Sequence, residues 1–189
     1  MRVRPTALLG VLVIEPVVHR DRRGFVLETY HQARYHAAGI AAHFEQDTHS
    51  WSGPRTLRGL HAQLGPPMGK LVRCIRGAVF DVAADIRRGS PTFARWVGIE
   101  LTADNCLQLW VPAGFAHGFY VSAAPAEVEY KSTAAWDPGL EIAVRWNDPQ
   151  LAITWPDATP VLSEKDAAAP LLAELGDRLP AYHGDATRE

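Results

Sequence analysis

The sequence predicts an all-β domain whose sheets either stack as a sandwich or close as a barrel. Three observations carry that expectation. Between about residues 11 and 155 the apolar, β-branched and aromatic residues fall in short runs set apart by Gly, Pro, Asn and Asp. Only two stretches read as helices, 30–38 and 167–175. A chain of 189 residues, 47% of them hydrophobic, can bury one full core, so a single domain over 1–189 with a C-terminal helical tail from about 164 is expected.

The elements follow in order. The first strand, 8–14 (LLGVLVI), comes after Arg2 and Arg4 and so imitates the start of a secretory signal, but Glu15 and Pro16 end the run with no small-residue cleavage pattern. FVLET at 25–29 leaves the Arg-Gly step of DRRG, and the helix at 30–38 (YHQARYHAA) follows it directly. Strands at 57–61 (LRGLH), 71–75 (LVRCI) and 79–85 (VFDVAAD) are divided by Gly-Pro, Gly-Lys and Arg-Gly. Those at 95–101, 107–111, 118–122, 128–132 and 142–146 are separated by ADN, PAG, AAPA and WDPG clusters, which supply turn residues. SEKD at 163–166 reads as the N-terminal cap region of the last helix, AAAPLLAEL at 167–175. No repeat, linker or low-complexity segment interrupts the pattern.

Charge and cysteine content exclude several classes. Nineteen basic against twenty-one acidic side chains leave a formal charge of −2, with no general attraction to nucleic acid or to an anionic membrane. No stretch approaches the ~18 apolar residues of a membrane span. Cys74 and Cys106 are far apart and in no C-x-x-C pair, which suits free thiols in a reducing compartment, the cytoplasm.

Several motifs carry candidate chemistry. GLHAQ at 59–63 and VPAGFAHGF at 111–119 resemble the two turn motifs of the cupin jelly-roll, which aim histidines into a barrel. A metal-binding cupin needs H-x-H and a later Glu; here Gln63 takes the second histidine's place and that Glu is missing, so no metal is expected. His117 reads equally as a hydrogen-bonded barrel histidine or as a ligand-binding one. Without a metal, His61 can still serve as a base, and Lys70 can hold developing negative charge, the pairing that proton abstraction beside a carbonyl requires. The bland alternative is a structural histidine and a surface lysine. Arg23 and Arg58 can grip a phosphate or diphosphate, whereas Arg20 and Arg22 read as a solvated turn. Tyr130 shares its facing with Val128, so its phenol is a satisfied core group or a proton donor. Trp136 either caps the core or offers a stacking face to a base.

The order of the motifs carries the resemblance. DRRGFVLE, QDTHSWS, LRGLHAQ, GKLVRCIRGAVFDVAADIRRGSPTF, LWVPAGFAHGF, EYKST, WNDPQLAITWP and SEKDAAAP follow one another as in dTDP-4-dehydrorhamnose 3,5-epimerases, the sugar-nucleotide cupins, over about residues 15–170. That resemblance implies a cupin-type jelly-roll barrel with a few short peripheral helices, no metal and no cofactor. It implies a homodimer with exchanged N-terminal strands, acting on dTDP-4-dehydro-6-deoxyglucose in dTDP-rhamnose biosynthesis. By the same resemblance His61 is the base, Asp166 orients it, Lys70 faces the enolate oxygen and Tyr130 returns the proton from the other face. Arg23, Glu28, Gln46, Arg58, His117, Glu141 and Lys165 match positions that hold sugar or nucleotide. Two positions depart from the pattern: Thr48 stands where the family commonly has Asn, and Trp136 where it commonly has a Tyr that stacks on thymine. Thr48 lacks the paired donor and acceptor of an amide, which puts contacts at that end of the substrate in question. The competing readings are an epimerase of carbon 3 or 5 alone, a 3,4-ketoisomerase, and a non-catalytic sugar-binding cupin.

Overall fold

The computed structural model describes residues 1–184. Its framework is two strands that each belong to both sheets of a jelly-roll. β7 (Lys70–Asp85) and β10 (Phe115–Ser132) run antiparallel and pair with each other over almost their whole length. In one sheet the first part of β7 pairs with β9 (Gln108–Val111) and the last part of β10 with β5 (Gln46–Ser52). That sheet continues from β9 to β2 (Leu12–Glu15) and β1 (Arg2–Pro5). In the other sheet the last part of β7 pairs with β8 (Trp96–Thr102), and the first part of β10 with β6 (Leu57–Gln63). β11 (Glu141–Ala143) closes that edge.

A strand that passes from one sheet to the next must reverse which residues face inward, and both long strands do. Val72 and Cys74 face the inter-sheet core before Gly77, and Val79 and Ala83 face it afterwards. On β10 Phe115, Phe119 and Val121 face inward before a register break at 121–127, and Ala126 and Val128 after it. Gly77 has φ +71, and a Cβ there would overlap the Ala123 and Pro125 carbonyl oxygens, so glycine is what lets the two bends nest. The reversal explains why sequence reasoning divides each strand into two, at 71–75 and 79–85 and at 118–122 and 128–132.

Outside the barrel, two further apolar layers cover the sheets. α1 (Gln32–Ala37) lays Tyr35, with Ile40, on Ile14, Leu71 and Trp110 of the first sheet. Leu172, Leu175 and Leu179 of the C-terminal segment cover Leu60, Val82 and Ala84 of the second. The expected helix at 167–175 is two short ones, α2 (Glu164–Ala167) and α3 (Leu172–Leu175), because Pro170 lacks an N–H and disfavours helical backbone before it. Of the expected first strand at 8–14, residues 12–14 lie in β2, whereas Leu8–Gly10 form the turn between β1 and β2. β3 (Val18–Asp21) and β4 (Gly24–Leu27) form a hairpin that pairs with neither sheet. Among the described residues no helix is long and apolar enough to cross a membrane.

Gly77→Ala is expected to destabilise the fold by at least ~2 kcal/mol, from left-handed backbone strain and the carbonyl overlap together. Urea unfolding of the purified variant measures it, and a midpoint unchanged from the parent would contradict the nested-bend account.

Candidate active site

The site begins with two glycines. Gly59 on β6 and Gly118 on β10 face each other so closely that a Cβ on Gly59 would lie 2.6 Å from the Gly118 Cα. Gly59 also has φ +119, which disfavours any other residue. Its N–H turns to Asp166 Oδ2 at 3.3 Å. The other oxygen of that carboxylate accepts from His61 Nε2 at 2.6 Å. Asp166 is itself held by its helix start, since its N–H donates to the Ser163 hydroxyl at 3.1 Å. Burial pushes the Asp166 carboxyl up, but the hydrogen bonds from His61 and Gly59 outweigh it and leave it below the usual range. Asp166 is therefore a carboxylate. With Nε2–H given to it, the His61 lone pair sits on Nδ1, the nitrogen free for the cavity.

His117 stands opposite His61 in the β10–β6 register and is held differently. Its Nε2 lies 3.0 Å from both oxygens of Asp81, a residue with no exposed surface. Asp81 was not singled out from sequence, although an acid at an inward position of an apolar strand calls for a partner.

The facing sheet supplies the other half of the cavity. Tyr130 on β10 and Thr48 on β5 are register partners, and Lys70 opens β7 opposite Ser132. Burial pushes the Tyr130 phenol above its usual value against the pull of the Thr48 hydroxyl and the Arg58 charge, so it stays protonated at neutral pH. Lys70 carries its ammonium over the Tyr130 ring, 5.9 Å from the centroid. Burial pushes its pKa down to about 8, with Glu141 and Asp81 opposing.

These side chains line two adjoining chambers of about 520 and 220 Å³, and His61, Lys70, Tyr130 and Thr48 line both. Arg58, His117, Lys165 and Asp166 line the larger. Arg58 is steadied by Ser52 Oγ at 2.9 Å and the Trp51 carbonyl at 3.1 Å. Gln46, Trp136 and Glu141 line the smaller. There the Gln46 side chain accepts the Trp136 backbone N–H at 2.9 Å and donates to Thr48 Oγ1 at 3.0 Å. Glu141 accepts from the Trp136 indole N–H at 2.9 Å and from Lys165. Trp136 is 53% exposed, so it is a rim residue and not a cap on the core.

Gln63, the position of a metal-cupin histidine, spends its amide on backbone: it donates to the Pro66 and Ala135 carbonyls and accepts from Asp137 N–H. It clamps the segment that carries Trp136. Among the described residues no three His, Cys, Asp or Glu side chains group as metal ligands. Arg23 and Glu28 are not brought to the cavity. Arg23 pairs with Asp21 on the β3–β4 hairpin, and Glu28, just beyond it, pairs with Arg34.

Comparison with known proteins bears on this geometry. Residues 5–174 match the family model described as dTDP-4-dehydrorhamnose 3,5-epimerase. The dTDP-4-dehydrorhamnose 3,5-epimerase of Salmonella typhimurium is 51% identical over 91% of this chain and 96% of its own. A dTDP-4-dehydrorhamnose 3-epimerase from Streptomyces niveus is 40% identical, over 96% and 90%. Among solved structures, dTDP-6-deoxy-D-glucose-3,5-epimerase from Legionella pneumophila, in complex with dTDP-4-keto-L-rhamnose, superposes with a TM-score of 0.94. It is 46% identical and the match covers 97% of this chain and 99% of that one.

The lowered Lys70 ammonium is directly measurable. After reductive ¹³C-methylation, one methyl-lysine signal, missing from a Lys70→Met sample, is expected to titrate near pH 8. Titration of that signal at the ordinary ~10.4 would contradict the burial described above.

Proposed function

The chain belongs to the dTDP-4-dehydrorhamnose 3,5-epimerase family and is an epimerase of dTDP-rhamnose biosynthesis; we propose that it works with His61 as base and Tyr130 as acid. The substrate in this reading is dTDP-4-dehydro-6-deoxy-D-glucose, and the product is dTDP-4-dehydro-L-rhamnose. The observation that carries the mechanism is that His61 and Tyr130 come from different sheets and line the same chambers. Inversion needs a proton removed on one face of the ring and returned on the other.

The 4-keto group makes the hydrogens on carbons 3 and 5 removable. His61 Nδ1 takes the proton, and the electron pair of the broken C–H bond moves to the carbonyl oxygen. The resulting enolate oxygen meets the Lys70 ammonium, which is charged below about pH 8. Tyr130 gives its phenolic proton to the carbon from the opposite side and regains one from solvent, as His61 loses one. Asp166 keeps its charge throughout and holds the imidazole in one tautomer, as a triad carboxylate does. No step runs through a metal or a cofactor.

Binding roles follow from position. Arg58, Lys165 and His117 meet the diphosphate or the sugar, and Gln46, Thr48 and Glu141 the groups beside them. Trp136, fixed by two hydrogen bonds, stacks on thymine. Arg23 and Glu28 act in the partner's cavity of a cytoplasmic homodimer that exchanges N-terminal strands. The separate β3–β4 hairpin with exposed Phe25 and Val26 supports that exchange, and light scattering reads the dimer.

The test uses the 4-keto sugar nucleotide in deuterium oxide. His61→Ala is expected to abolish deuterium uptake. Tyr130→Phe is expected to keep uptake while forming product more slowly by roughly the 10²–10⁴ of a general acid. Near-normal inversion in Tyr130→Phe would overturn the acid's assignment. Uptake at one carbon only in the parent enzyme would favour the activity named for the Streptomyces niveus relative.

A further inference from the structure

Ser132 closes β10 on the inward face that also carries Val128 and Tyr130, and it has no exposed surface. In register it lies between Gln46 on β5 and Lys70 on β7. Its hydroxyl is the one buried side-chain polar atom without a hydrogen-bond partner among the described residues. Burial of an unpaired hydroxyl costs free energy, so such an atom needs an explanation. Hydrophobic packing does not provide one, because Ser132 lines the smaller chamber together with His61, Lys70 and Tyr130.

Lys70 is the complementary case. No hydrogen bond contributes to the state of its ammonium, which rests over the Tyr130 ring. An ammonium has three N–H donors and a hydroxyl has two acceptor lone pairs. Lysine's arm is long and flexible, whereas Ser132 is fixed in the sheet at the register position directly opposite. We propose that Ser132 is a positioning residue for Lys70: with substrate in the chamber the ammonium donates one N–H to Ser132 Oγ and another to the substrate's carbonyl oxygen. That bond gives the hydroxyl the partner that no described protein group supplies. Seated in this way, the ammonium keeps its direction as the oxygen becomes an enolate, and it leaves the ring of Tyr130, whose proton must be delivered. This assignment rests on the reading of Lys70 as the group that meets the enolate oxygen.

The experiment compares Ser132→Ala and Lys70→Met with the parent enzyme, measuring thermal unfolding, kcat, KM and the pH dependence of kcat. Ser132→Ala removes no hydrogen bond between described protein groups, so its unfolding temperature should be no lower than the parent's. Its kcat is expected to fall roughly ten- to a hundredfold, the size of one hydrogen bond to a charged group, with KM changed less than threefold. The alkaline limb of its pH profile should move to lower pH, since loss of an acceptor disfavours the ammonium. Parent-like kcat and pH profile in Ser132→Ala, alongside an impaired Lys70→Met, would overturn the seat and leave the role of Lys70 standing. An active Lys70→Met would instead remove the reading on which the seat rests. A rise in KM alone would also overturn it, by making Ser132 a binding contact.

Discussion

Everything in this molecule depends on two strands being shared by two sheets. Because β7 and β10 each bend from one sheet into the other, the inward-facing residues switch between odd and even positions along both. A flat strand would put His117 and Tyr130, thirteen residues apart, on opposite faces of the sheet. The bend at 121–127 instead turns them toward a common cavity from different walls. Gly77 permits that bend, and Gly59 and Gly118 permit the close strand approach beside it. Folding and chemistry thus share one geometric requirement.

The polar interior that results is costly, and the structure offsets the cost pair by pair. Asp81 is fully buried against His117, and Asp166 nearly so against His61. Each carboxyl group has a histidine Nε2 within 3.0 Å, the pairing that lets a buried polar group be tolerated. The two histidines nonetheless differ. His117 is almost sealed, with 6% of its side chain exposed, while His61 keeps 24%, and only an imidazole with an open nitrogen can exchange protons with a ligand. Among the described residues Ser132 Oγ is the one buried side-chain polar atom without a hydrogen-bond partner, and with Lys70 it lines the chamber that substrate would fill.

What was legible in the sequence follows the same physics. The apolar strands and the His61, Lys70 and Tyr130 motifs stood out because core periodicity and clustered polar residues are local signals, whereas SEKD alone read as a helix cap and Asp166 gained its role only from the family resemblance. β5 was invisible: its inward row, Gln46, Thr48 and Ser50, lines cavity instead of core, so its alternation carries no hydrophobic contrast. β1 and β3 were missed for a related reason, being short, charged and largely exposed. The long strands looked broken because their facing reverses. Arg23 and Glu28 could be recognised by motif but not located, since a hairpin that pairs with neither sheet leaves no mark on the core pattern. Gln63 was legible only as a missing ligand; its clamp on the Trp136 segment depends on backbone atoms 72 and more residues away.

In the proposed mechanism the two sheets present a base and an acid to opposite faces of one sugar ring. A crystal structure with an unreactive dTDP-6-deoxyhexose carrying a hydroxyl at carbon 4 tests it without reference to rates. The account predicts His61 Nδ1 on one face of carbons 3 and 5 and Tyr130 Oη on the other, with the carbon-4 oxygen toward Lys70. Finding both groups on the same face, or the sugar outside the chambers they line, would contradict it.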